Sequence, residues 1–174
     1  MMLKRLRLHA DESGAAIIEL ALIAPIFALM TIGIVDMSNA YSRKLQAEQA
    51  AQRAVEKIMQ TTQDDTVENT LKTEAKCQIN GGTPPCAGRV TDADVTVTYR
   101  LECTPAGGGA ITAQTDTNPV TFDALTCTGG AKESRYIQVT VNDKYTPMFP
   151  IHFSALNGSD GTYHVSATAG MRTQ

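Results

Sequence analysis

The chain predicts an α+β fold, in which a long N-terminal helix, first transmembrane and then amphipathic, packs on an antiparallel sheet of about four strands. Three observations carry that prediction. An apolar run from Ala15 to Val35 passes into a helical pattern that lasts to about Gln60. Period-two alternation takes over further on, as in Val95, Val97, Tyr99, Leu101 and Cys103. The cysteines, Cys77, Cys86, Cys103 and Cys127, all lie on the alternating side of that change.

The apolar run is about 21 residues long, enough for a helix rising about 1.5 Å per residue to cross a hydrocarbon core roughly 30 Å thick. Lys4, Arg5 and Arg7 precede it and Asp36 follows it, so the positive-inside rule leaves the N-terminus cytoplasmic and the remainder outside. A secretory signal peptide is the alternative, since Ser38-Asn39-Ala40 resembles a signal-peptidase site. The run exceeds a usual h-region, however, and continues as a helix past Ala40. Pro25 removes one helix hydrogen bond near the middle of the span and is expected to kink it.

Glu19 interrupts the run. A carboxylate in a membrane span costs a few kcal/mol near the bilayer centre and less toward the interface, which makes its presence a functional signal. The alternative is a tolerated charge at headgroup level.

Beyond the span, Tyr41, Leu45, Ala51, Val55, Ile58 and Met59 recur at three- and four-residue steps among charged residues, which continues the helix with one face for packing. Asp64 or Asp65 is a candidate cap for a second helix carrying Val67, Leu71 and Ala75. Four strands are expected after Cys77. They are centred on Val95 to Cys103, on Val120 and Phe122, on Ile137 to Val141, and on Tyr163 to Met171.

Four cysteines on the exported side read as two disulfides formed in an oxidising compartment. No CxxC pair is present to begin a zinc site. Of three possible connectivities, sequence order favours Cys77 with Cys86, around a Gly-Pro loop, and Cys103 with Cys127, at the ends of two candidate strands.

Other functions find little support. A net charge of -3 without a long basic block gives a nucleic-acid backbone nothing to bind. Ala106 to Gly109 lacks the lysine and hydroxyl residue of a phosphate-binding loop, and Asn157 to Gly161 has too few oxygen ligands for calcium, so both read as turns. His9, His152 and His164 belong to no catalytic or metal motif. No catalytic residue, metal or cofactor is expected.

The stretch Glu12-Ser-Gly-Ala-Ala-Ile-Ile-Glu-Leu-Ala-Leu-Ile-Ala-Pro25, followed by Gly33-Ile-Val-Asp36, resembles the N-terminal signature of TadE/TadG-like proteins. These are pseudopilins or minor pilins of the tight-adherence (Tad, Flp-type pilus) apparatus. The resemblance extends as a helical pattern to about Met59. A looser likeness to the family's closing strands appears in Tyr136 to Val141, Tyr145 to Pro150 and Val165 to Arg172.

The resemblance implies that a prepilin peptidase cuts between Gly14 and Ala15. Glu19, the fifth residue of the mature chain, then gains the new α-amino group, its own or a neighbour's, as a counter-ion. It also implies partners among other Tad pilins and the inner-membrane assembly platform. The chain departs from the family in having Leu20 after Glu19, where major Flp pilins have tyrosine and many minor ones phenylalanine. That difference and the length favour a minor component.

Four segments are therefore expected: a leader over 1–14, a transmembrane helix over 15–36, a periplasmic helical continuation over 37–76 and a disulfide-containing β-rich domain over 77–174. The expected location is the inner membrane in a single pass, with the C-terminal domain periplasmic and incorporation into an extracellular pilus as an extension. An uncleaved inner-membrane anchor with an exported binding domain is the competing outcome.

Overall fold

A computed structural model describes residues 13–60, 67–149 and 159–173. The chain forms two units, Met1–Ser38 and Asn39–Gln174.

Helix α1, Ser13–Gln60, runs through both units and contains Pro25. In the first unit its apolar side chains are uncovered: Ile17, Leu20, Leu22 and Phe27 are each more than 60% exposed. A hydrophobic surface left so bare in an isolated chain requires lipid or neighbouring helices to cover it. The helix is long and apolar enough to cross a membrane.

The second unit is the α+β body. Beside the later part of α1 it contains α2 (Val67–Asn80), β1 (Val95–Thr104), β2 (Thr112–Asp116), a short helix α3 (Pro119–Asp123), β3 (Lys132–Tyr145) and β4 (Tyr163–Arg172). The sheet order is β2-β1-β3-β4, and every neighbouring pair is antiparallel. β3 is central and long, pairing with β1 on one side and β4 on the other.

Strand parity explains the layers. Val95, Val97, Tyr99, Leu101 and Cys103 of β1 are buried, and Ile137, Val139 and Val141 of β3 pair with them across the ladder. Ala47, Ala50, Ala51, Ala54 and Val55 of α1 pack into the same core, with Leu71 and Ala75 of α2. The stripe that α1 turns to this core is thus mostly alanine. The other sheet face carries Thr96, Thr98, Thr140, Asn142, Ser166 and Thr168, which are polar and at least partly exposed.

One expected strand is absent. Val120 and Phe122 lie in α3, where the Asn118 side chain accepts a hydrogen bond from the Val120 amide and Pro119 stands in the first turn. A side-chain cap followed by proline favours a helix start over a strand. The fourth strand is β2, whose side chains are almost all exposed. The candidate caps Asp64 and Asp65 lie outside the described residues.

Disulfides join Cys77 to Cys86 and Cys103 to Cys127. The first ties the last turn of α2 to the following loop. The second ties the end of β1 to the segment before β3.

Candidate functional site

The N-terminal candidates fall on one helix end. Gly14 and Ala15 occupy the first turn of α1 and are exposed. A methyl group added at Gly14 would meet no atom within 4 Å, so the fold itself does not require glycine there. Proteolysis requires an extended substrate backbone, which this helical turn would have to release.

Glu19 is exposed on the same helix. Residues four apart share a helix face, so Glu19 lies one turn from Ala15 on the same face of α1. Further along, the Thr31 hydroxyl donates to the Phe27 carbonyl at 2.8 Å, which satisfies the hydroxyl within the helix. Pro25 lacks an amide hydrogen, leaving the Ala21 carbonyl without its usual helix donor. The Thr31 bond suits a helix embedded in lipid, where polar groups are satisfied internally, whereas the Ala21 carbonyl is a local cost of Pro25.

A second cluster was not legible as a site. Asp143 on β3 has a side chain only 2% exposed, with the Arg89 Nε at 2.9 Å and an Arg43 guanidinium nitrogen at 3.6 Å. The Arg89 guanidinium also donates to Gln46 of α1, and the Lys144 amide donates to the second Asp143 oxygen at 2.8 Å. Arg43 lies over the Tyr145 ring, 5.5 Å from its centroid, and Tyr145 stacks with Tyr163 at 6.1 Å. Asn39 donates to the Tyr145 hydroxyl at 3.3 Å and approaches the Met148 sulfur at 3.9 Å. The only sequence signal was parity, because Asp143 falls in the buried register of Val139 and Val141. A carboxylate there must be paired.

At the other end of the sheet Arg135 closes the core. Its guanidinium lies over the Phe122 ring at 5.2 Å and donates to the Leu125 carbonyl at 2.7 Å, with Asp123 and Glu133 nearby. His164 has one carboxylate neighbour, Asp160, at 3.0 Å. Hydrogen bonds from His164 and then Thr162 hold the Asp160 carboxyl well below its ordinary range. His9 and His152 lie outside the described residues. Among the described residues no group of three or more His, Cys, Asp or Glu could hold a metal ion.

Neither the curated proteins nor the solved structures contain a match to this chain. Residues 14–56, which take in Gly14, Ala15, Glu19 and Pro25, match the family model described as TadE-like protein, and this segment of α1 is accordingly TadE-like.

Proposed function

We propose that the protein is a minor pilin or pseudopilin of TadE-like type. In this reading a prepilin peptidase processes it after Gly14, and it takes part in Tad (Flp) pilus assembly, adherence or secretion. The coincidence that carries it is that the TadE-like match begins at Gly14 and covers a bare apolar helix with one carboxylate in its second turn. The role is structural: α1 anchors the protein in the inner membrane with its N-terminus cytoplasmic, and the disulfide-bonded body folds in the periplasm.

Cleavage would make Ala15 a free amine beside Glu19. Two charges paired in lipid offset the desolvation each suffers alone, and the pair sets the axial position of one subunit against the next. Partners are then the peptidase, the other Tad pilins and the inner-membrane platform.

Mass spectrometry of the N-terminus tests the cleavage. A mature chain beginning at Ala15 is expected; one beginning at Met1 or Tyr41 would refute it. Glu19→Ala should leave processing intact and reduce pilus assembly, and unchanged pili would remove the charge-pair role. Because the fold leaves room at Gly14, loss of processing in a variant with a bulky residue there would reflect the peptidase and not misfolding.

The helical state of Gly14 and Ala15 favours a second reading, an uncleaved single-pass anchor presenting an exported binding domain. A full-length protein that stays in the inner membrane and never co-purifies with pili would establish it.

A further inference from the structure

We propose that the polar face of the sheet carries a binding trough for an acidic saccharide, in which Arg100 and Arg172 take the sugar carboxylate and Tyr136 lies against the sugar ring. The trough belongs wholly to the α+β body and does not depend on how the N-terminus is processed.

Arg100, Tyr136 and Arg172 are direct cross-strand partners on β1, β3 and β4, so they form one row across the sheet. They alternate along their strands with the buried Leu101 and Ile137, which puts the row on the polar face. Adjacent strands lie about 4.8 Å apart, so an arginine stands on either side of one aromatic residue. The next row contains Gln138 and Gly170. A methyl group at Gly170 would come within 2.9 Å of the Gln138 Cγ and 3.1 Å of the Ile137 carbonyl oxygen, so Gln138 lies across the bare glycine. The missing side chain lowers the face there. The resulting trough takes in about 420 Å³, within the range of roughly 300 to 1,000 Å³ usual for small-molecule sites.

The fold leaves Arg100 incompletely satisfied. One terminal nitrogen holds the Glu102 Oε1 at 2.7 Å, while the Nε is buried without a hydrogen-bond partner among the described residues. A donor kept from water and left unpaired is costly. A guanidinium that turns to meet a ligand carboxylate relieves that cost.

The chemistry of the trough selects the ligand class. Two arginines against Glu102 leave one positive charge, on a protein whose net charge is -3. That is enough to read a carboxylate and far short of the cation array that a phosphate backbone requires. The backbone groups of β3 are spent in ladders on both sides, so an acidic peptide would find no main-chain partner on this face. What the trough offers is guanidinium, amide and phenol, which suit a carboxylate surrounded by hydroxyls. The tyrosine ring supplies an apolar surface for the C–H side of a sugar.

Isothermal titration calorimetry on the full chain in nonionic detergent tests the proposal, with oligogalacturonate as probe and its methyl ester and polyglutamate as comparisons. Oligogalacturonate is expected to bind and the uncharged ester to bind at least about tenfold more weakly, the size of one lost charge-assisted hydrogen bond. Arg172→Gln and Arg100→Gln should each weaken the acid by about tenfold. Arg53→Gln, on the α1 side of the sheet, should leave it unchanged. Arg172 is exposed near the end of β4, so Arg172→Gln decides the matter even if Arg100→Gln, which also loses the Glu102 pair, lowers the thermal midpoint. Absence of oligogalacturonate binding, equal binding of the ester, or full affinity in Arg172→Gln would overturn the proposal. Polyglutamate binding as tightly as oligogalacturonate would refute the saccharide and assign the trough to an acidic peptide.

Discussion

Asp143 ties α1 and the loop before β1 to β3 through Arg43 and Arg89. Removing one member of a buried ion pair costs about 3–5 kcal/mol, because the remaining charge loses its partner. Arg43 and Arg89 retain about a third of their exposure, so the lower end applies, and Asp143→Ala should cost about 3 kcal/mol in denaturant unfolding of the detergent-solubilised chain. Arg89→Ala should cost more than Arg43→Ala, since its nitrogen is closer and its other donor holds Gln46. Asp160 gives a pH prediction. Its carboxyl titrates below the ordinary 3.8, chiefly through the His164 hydrogen bond. A depressed carboxylate contributes stability that is complete above the unfolded value and lost as pH falls through the folded one. Carboxyl-detected NMR should show that low titration, and His164→Ala should move it upward. The two sites differ in legibility for a physical reason. Glu19 announces itself by breaking an apolar run, whereas Asp143 meets Arg89 54 residues away and is marked only by its parity.

At the level of elements, the loop from α2 to β1 is organised by one amide. Asn80 donates to the carbonyls of Cys86 and Val90 at 2.8 Å each and accepts from the Val90 amide at 3.2 Å. A methyl group at Gly88 would lie 2.4 Å from the Asn80 side chain. Gly88→Ala must therefore displace Asn80, at about 1 kcal/mol for each hydrogen bond lost. Gly107→Ala meets open space and should leave the thermal midpoint nearly unchanged. β1, β3 and β4 were legible because one face of each is buried, which writes apolar residues at every second position. β2 was not, since Thr112 to Asp116 form an exposed edge with no core face to record. The apolar pair Val120 and Phe122 suggested a strand because alternation outweighed Asn118-Pro119. The cap decides the local conformation, and only Phe122 is buried.

For the whole molecule, a small core of alanine and valine is reinforced by covalent links. The bonded cysteines are separated by 9 and 24 positions. In the chain-entropy picture a 15-residue loop gives about 3 kcal/mol and longer loops give more. Replacing Cys103 and Cys127 by serine should therefore lower the unfolding midpoint more than replacing Cys77 and Cys86, as read by circular dichroism on heating. The architecture itself was legible from the switch of period along the chain. The mounting of α1 on the body was not, because Arg43 looks from sequence like any solvated charge on the polar face of a helix. Its pairing with Asp143 has a mechanical meaning. A load on the Arg43 guanidinium passes to β3, the strand flanked by β1 and β4. That load is shared between two ladders of hydrogen bonds, where an edge strand would have one.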